Sequence, residues 1–313
     1  LTSVQNLLPC KMILTIDGSN SISGGAIVYL SNLLRYVVPQ KYEIEKIIIY
    51  GYRKLLNYIE DKPWIRKIYE PALDKGVLSR LRWLWFKFPK LVQNSDLVFF
   101  PAANYTKLSI PYISACRNIL PFINYKELYG LSYLTLANEY RRVSQSKCFE
   151  NSKGVIFLSE YAKNTVLKRL KASPRFIQII PHGVSKRFST PPKVQKQISE
   201  YTKEKPFRFL YVSGIAAYKY QWNVVKAFSI LRNKKYFVTV DFIGPIYDKL
   251  AYRKFIGTIK KYDPNESFTN YLGFIPYNEI HKYYKNYDAY IFASIYETFG
   301  IPLIEAMASG LPV

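Results

Sequence analysis

Two carboxylates, Glu297 and Glu305, stand in the stretch "ETFGIPLIEAMASGLPV" with seven residues between them. The residues around them predict a short helix. Pro302 suits a first turn, where no N–H is needed, and Gly310 suits the C-terminal cap. Glu297 then sits in the loop before the helix, and Glu305 rides its first turns. The free amides around Phe299, Gly300 and Ile301, together with the helix dipole, form an anion site suited to a diphosphate. A carboxylate cannot bind that anion. It can accept hydrogen bonds from neutral hydroxyls beside it. A diphosphate flanked by two hydroxyl-bearing groups describes a nucleotide sugar, ribose on one side and hexose on the other. On these residues alone a blander reading stays open, in which two glutamates near a helix start merely stabilise its dipole.

Such a helix needs a strand to deliver it, and Ala289–Ser294 reads as one. The same alternation runs through the whole chain. Met12–Ile16 is an apolar strand, followed by Gly24-Gly25 as a glycine turn and a helix with apolar residues at Ile27, Leu30, Leu33 and Leu34. Further strands are expected at Lys46–Gly51, Asp96–Pro101, Tyr112–Pro121, Val155–Leu158 and Phe176–Val184, with Ser159 capping a helix over Glu160–Leu170. A second series gives strands at Phe207–Val212 and Tyr236–Gly244, a helix over Gln221–Leu231, a turn at Gly273–Pro276 and a helix from Tyr277 or Asn278. The polar, proline-containing segment between the two series is the best boundary. The expectation is an α/β chain of two Rossmann-like parallel-sheet domains facing a cleft: residues 1–185, a linker at 186–205, and residues 206–313, this last one incomplete at Val313.

The net charge of +23 fits three partners: nucleic acid, an anionic membrane surface or phosphorylated substrates. It fits equally the compositional drift of an AT-rich genome, since Lys, Ile, Tyr and Asn are abundant together. The segment Leu78–Val92, "LSRLRWLWFKFPKLV", alternates basic residues with Trp83, Trp85, Phe86 and Phe88. It reads either as a helix lying on an anionic membrane or as a helix whose aromatics pack on the sheet. No stretch of about eighteen apolar residues occurs, so no membrane-crossing helix is expected. Cys10, Cys116 and Cys148 have no framework spacing, which agrees with a reducing cytoplasm. Two distant histidines and no cysteine cluster argue against a structural zinc. Met12 could be the natural start, with Leu1–Lys11 as read-through.

Taken in order, these segments resemble the retaining glycosyltransferases of group 1 (family four), which have the GT-B fold. The likeness runs from about Lys11 to Val313 and rests most on Glu297, Glu305 and "EAMASGLPV". The resemblance implies transfer of a hexose from a nucleotide diphosphate sugar, with retention, to a glycan or lipid-linked hydroxyl in cell-surface polysaccharide or lipopolysaccharide assembly. It implies no metal and no cofactor beyond the donor, and work in the cytoplasm or at the inner membrane face; no recognised nucleic-acid-binding motif appears and the aromatics sit in apolar strands, so no nucleic acid is expected as partner. It gives Lys219 the donor diphosphate, Glu297 the sugar hydroxyls and Glu305 the ribose. Gly24 and Gly25 match the family's glycine loop, and Gly273, Phe274 and Ile275 the loop bordering the base. Ser213-Gly214 stands where the family usually has an arginine, so Gly214 takes a donor-side place while that second cation is missing or comes from elsewhere. Arg117-Asn118 replaces a His-Asp pair on the acceptor side; a guanidinium there could bind phosphate but is a poor base. Three rivals remain: a catalytically silent sugar-binding subunit, a basic nucleic-acid-binding protein, and a nucleotide-sugar epimerase or phosphorylase on the same fold.

Overall fold

Apolar strands alternating with helices wind into two all-parallel sheets, seen in a computed structural model that describes residues 12–22, 24–130 and 132–313. The expectations for Cys10 and for Leu1–Lys11 lie outside those residues. The chain divides into two units: Leu1–Ile123 with Leu136–Ile180, and Asn124–Thr135 with Pro181–Val313.

The first unit carries β1 (Met12–Asp17), β2 (Ile44–Gly51), β3 (Ile65–Tyr69), β4 (Leu97–Phe100), β5 (Tyr112–Cys116), β6 (Gly154–Phe157) and β7 (Phe176–Ile179). Their order across the sheet is β3-β2-β1-β4-β5-β6-β7, every pair parallel. The second unit carries β8 (Phe207–Val212), β9 (Val238–Ile243), β10 (Thr269–Gly273) and β11 (Ala289–Tyr290), in the order β10-β9-β8-β11. Both sheets start in the middle, grow to one side, then reverse. In a parallel sheet wound this way the crevice for a ligand opens at the carboxyl ends of the strands where the order reverses. Those places are β1/β4 in the first unit and β8/β11 in the second.

Strands covered by helices on both faces need near-continuous apolar runs, a pattern that β4 and most of β2 show and the edge strand β3 does not. In the first unit Ile16, Ile47, Ile49, Val98 and Phe100 are buried in one apolar cluster with Leu30 and Leu34 of the helix Gly24–Tyr36. Leu33, expected on the same face, is exposed. Gly24 and Gly25 form the first turn of this helix rather than a separate glycine turn. Neither has a positive φ.

In the segment Leu78–Val92 the packing reading holds for two of the four rings. Trp83 and Phe88 are buried and stack into an aromatic chain, with ring centroids 4.9 Å apart and Phe88 5.9 Å from Phe100. The helix widens to a π turn over Trp83–Lys87 just ahead of Pro89, which has no N–H to donate back along the helix. Trp85 and Phe86 face solvent. Among the described residues no helix is long and apolar enough to cross a membrane.

Residues 186–205, expected as a linker, are held on the second unit instead. Phe188 is fully buried in a core with Leu210, Ile243, Ile280 and Tyr284. The Lys193 Nζ donates to the Tyr287 carbonyl at 2.7 Å, and the Thr190 amide to the Ala308 carbonyl at 3.0 Å. A polar composition concealed these anchors, because one buried ring and a few backbone bonds suffice to fix such a segment. Residues 124–135, expected with the first domain, also belong to the second unit.

Candidate functional site

In the second unit the loops after β8 and β11 leave neighbouring strands at the reversal point. The first runs through Ser213-Gly214 and Ile215 into a 3₁₀ turn at Ala217–Lys219, and Tyr220 at φ 52° opens the helix Gln221–Asn233. The second runs from Tyr290 to the helix Ile301–Ala308. The Ile295 amide donates to the Tyr218 carbonyl at 3.1 Å and ties the loops together. Two buried tyrosines, Tyr211 and Tyr290, and the half-buried Tyr271 fix the backbone from below. Tyr211 Oη donates to the Lys219 carbonyl at 2.5 Å, Tyr290 Oη to the Val212 carbonyl at 3.0 Å, and Tyr271 Oη to the Gly244 carbonyl at 2.8 Å.

Lys219 is only 9% exposed, and its Nζ donates to Glu297 Oε1 in an ion pair. The ammonium also lies 5.0 Å from the Tyr218 ring centroid and 5.1 Å from that of Phe292. Burial lowers the Lys219 pKa, and the Glu297 carboxylate opposes that change. A buried cation with one carboxylate and two ring faces is held in place, yet it has donors to spare for an anion. The sequence placed Lys219 and Glu297 in separate roles; the structure pairs them.

The helix Ile301–Ala308 starts as expected. Gly300 at φ 83° is the N-cap residue, Pro302 lies in the first turn, and Gly310 at φ 70° follows the last turn. No side chain caps the start, and no acidic residue stands in the first turn. The initial amides therefore keep their positive end available, the requirement for an anion site. Phe299 packs edge-on against His182, centroids 5.6 Å apart.

Glu305 is 3% exposed. Its Oε2 accepts from Tyr284 Oη at 3.2 Å, while Oε1 is buried with no hydrogen-bond partner among the described residues. Burial pushes its pKa up to about 7, opposed by hydrogen bonds from Tyr284 and Tyr277 and by the charge of Arg187. The Arg187 guanidinium lies over the Tyr277 ring, 4.1 Å from its centroid. Arg187 escaped the sequence reading because it fell in the supposed linker. Its charge acts on Glu305, whereas Ser213-Gly214 offers no cation.

A Cβ on Gly214 would meet the ring of Tyr247, an exposed side chain, at 2.3 Å. Gly273 has φ 72°, and its carbonyl accepts from the Gly244 amide at 2.8 Å. Phe274 beside it is exposed, and Ile275 packs on the core.

The first unit holds Gly24, Gly25, Arg117 and Asn118. Among the described residues outside their own helix turn, nothing lies within 4 Å of where a Cβ would stand on either glycine. Arg117 Nη2 donates to the Gly25 carbonyl at 3.3 Å, and its guanidinium stacks over Tyr29, 4.3 Å from the centroid. Burial lowers the Arg117 pKa. Asn118 Oδ1 accepts from the Leu120 amide at 3.0 Å, a local turn role. At the β1/β4 reversal the structure adds residues passed over as a polar loop. Asp17, 2% exposed, accepts from the Ser19 amide at 2.9 Å and from Asn104 Nδ2 at 3.1 Å. Burial raises the Asp17 pKa, and those bonds oppose it.

Residues 193–313 match the family described as glycosyl transferases group 1. Comparison with curated proteins finds no match to the sequence. Among solved structures, sucrose-phosphate synthase from Thermosynechococcus elongatus superposes with a TM-score of 0.71 at 17% identity, over 96% of this chain and 80% of that one. HepE from Anabaena, in complex with UDP and glucose, gives 0.64 at 17% identity over 96% and 80%. WaaG, a glycosyltransferase of lipopolysaccharide biosynthesis, gives 0.65 at 14% identity over the same shares. At these identities the likeness shows the fold, which is GT-B.

Proposed function

We propose, from the premise that residues 193–313 carry a group 1 glycosyltransferase domain on a GT-B fold, that the protein transfers a hexose from a nucleotide diphosphate sugar to a hydroxyl acceptor with retention. The acceptor is a glycan or a lipid-linked glycan in cell-surface polysaccharide or lipopolysaccharide assembly, and the work is done without a catalytic metal or further cofactor. The observation that carries this reading is the Lys219–Glu297 pair at the β8/β11 reversal, beside the uncapped start of Ile301–Ala308.

The chemistry follows from that arrangement. Breaking the bond to the anomeric carbon leaves negative charge on the diphosphate. Lys219 and the helix amides stabilise the charge as it develops, in a site where the cation is already desolvated. Glu297 keeps Lys219 in place before the donor enters, and then accepts sugar hydroxyls. Glu305, with one oxygen free of partners among the described residues, accepts the ribose hydroxyls. Neither glutamate needs to act as the acid or base of a glycoside hydrolase. The acceptor attacks from the face the diphosphate leaves, and a phosphate oxygen takes its proton. HepE in complex with UDP-glucose and WaaB, a lipopolysaccharide outer core galactosyltransferase, share the fold and agree with a nucleotide-sugar donor and a surface-glycan product. Two exposed aromatics in the basic segment Leu78–Val92 agree with work at the inner face of an anionic membrane.

Calorimetric titration with UDP, GDP and their hexose conjugates tests the reading. One nucleotide series should bind, and Lys219→Ala should weaken it by roughly tenfold to a hundredfold, the range for one charge-assisted contact to a phosphate. A well-folded protein that binds none of them is not this enzyme.

A further inference from the structure

A cavity of about 350 Å³ lies in the first unit and has no part in the site above. Three of its walls are aromatic: Trp85 from the π turn, Tyr105 from the loop after β4, and Tyr140 from the helix Tyr133–Asn151. Trp85 and Tyr140 are 44% and 45% exposed, so their rings stand open to a ligand. Two lysines, Lys107 and Lys147, line it with Thr106, Val143 and Ser144, and among the described residues no carboxylate does. Neither lysine takes part in an ion pair among the described residues. The Lys147 Nζ instead lies 5.9 Å from the Tyr105 ring centroid.

The walls are fixed to one another. The Thr106 Oγ1 donates to the Leu84 carbonyl at 2.8 Å, next to Trp85, and the Tyr105 amide donates to Ser144 Oγ at 3.3 Å. Tyr140, Ser144 and Lys147 recur at i, i+4 and i+7, so one helix face supplies a ring, a hydroxyl and a cation together. A concave site with ring faces, hydroxyls and uncompensated ammonium groups suits a ligand with flat apolar C–H faces, hydroxyls and negative charge.

We propose that this cavity binds an anionic saccharide, a sugar ring bearing phosphate or carboxylate, as part of the acceptor chain. The inference rests on the glycosyl-transfer reading for the ligand's role, but its binding chemistry stands apart from the donor site. Rings stack on the pyranose C–H faces, and Lys107 and Lys147 hold the charge. The class of acceptor is thereby an acidic glycan rather than a neutral one.

The test uses the full chain, calorimetry and saturation-transfer NMR. The probes are trehalose 6-phosphate, trehalose and sodium phosphate, with UDP titrated in parallel. Trehalose 6-phosphate should bind, and both trehalose and phosphate should bind at least about tenfold more weakly. Trp85→Ala and Lys147→Glu should each weaken trehalose 6-phosphate by about tenfold or more while UDP binding stays unchanged. Lys107→Glu, at an exposed position, serves as a third variant should either fail to fold. No binding of the phosphorylated sugar, equal binding of the neutral sugar, or equal binding of phosphate alone overturns the proposal. So does capture by phosphatidylglycerol vesicles that depends on Lys147 without binding of the phosphorylated sugar. Binding of the phosphorylated sugar with no binding of UDP would leave the cavity standing and remove the donor reading instead.

Discussion

Replacing Glu305 by glutamine should stabilise the ligand-free second unit, and only at neutral to alkaline pH. Glu305 is buried, one of its oxygens has no partner among the described residues, and its pKa is raised from 4.5 to about 7. A carboxyl whose folded pKa is raised binds more protons folded than unfolded. Stability is therefore fully present below the unfolded value and falls as pH rises through the window from 4.5 to about 7. A tenfold change in proton affinity corresponds to about 1.4 kcal/mol, so the full penalty is on the order of 3 kcal/mol at pH 8 and under about 1 kcal/mol at pH 5. Glutamine keeps an acceptor for Tyr284 and never charges, so Glu305→Gln should recover most of that difference. Amide hydrogen exchange of peptides from Tyr277–Tyr284 and Ile301–Ala308, corrected for intrinsic rates, reads the local opening energy at both pH values. A gain of about 2–3 kcal/mol at pH 8 with little change at pH 5 is expected. An equal effect at both pH values, or a loss at pH 8, would refute the reasoning. If Glu305 also receives ribose hydroxyls, UDP affinity of the wild type should rise as pH climbs through 7, and the variant should bind weakly throughout.

Gly214→Ala should cost less than about 1 kcal/mol in urea unfolding, because its Cβ, 2.3 Å from the Tyr247 ring, displaces an exposed side chain rather than backbone; a larger cost, relieved by Tyr247→Ala in a double-mutant cycle, would show that the ring is held in place. Gly310→Ala combines φ 70° with a Cβ 2.7 Å from the Pro191 carbonyl oxygen, so thermal denaturation should show a loss of roughly 2–4 kcal/mol; an unchanged melting temperature would mean the Pro191-Pro192 contact yields freely. Asp263, 2% exposed, accepts from the amides of Ser267, Phe268 and Thr269 at 2.7, 2.9 and 2.8 Å. Asp263→Ala strands those donors and should cost roughly 3–5 kcal/mol in urea unfolding, whereas a cost below about 1 kcal/mol would show that water replaces the carboxylate.

Much of the framework was legible because its signals are local. Apolar runs gave β1, β2, β4, β8 and β9 nearly as they stand, and Ser159 does cap its helix, accepting from the Ala162 amide at 3.1 Å. Pro302 and Gly310 marked the helix at the second site. Segments whose apolar period is broken by charge were missed, among them β3, Ile65–Tyr69, and the helix Lys249–Tyr262. Of the Ala289–Ser294 run only Ala289–Tyr290 forms strand, and the Ile291 amide makes a further bond to β8, to the Leu210 carbonyl at 3.0 Å. The types of the site residues were readable, but their partners were not. That Glu297 meets Lys219, that Tyr247 covers Gly214 and that Arg187 faces Tyr277 are long-range facts, fixed by which strands become neighbours. The basic aromatic segment shows the same limit: spacing cannot say which rings turn inward until the π turn sets their direction.

The tyrosines beneath the second site have a consequence for how this chain tolerates mutation. Tyr211, Tyr271 and Tyr290 each hold a loop carbonyl through a single hydroxyl. One base change in a tyrosine codon yields phenylalanine, which keeps the ring and its packing and deletes only the hydroxyl. Packing alone therefore offers no resistance to such drift at these positions. Persistence of tyrosine there across lineages would record selection on the posture of the loops, not on the density of the core, and exchange to phenylalanine would mark descendants in which Lys219 no longer has to be held.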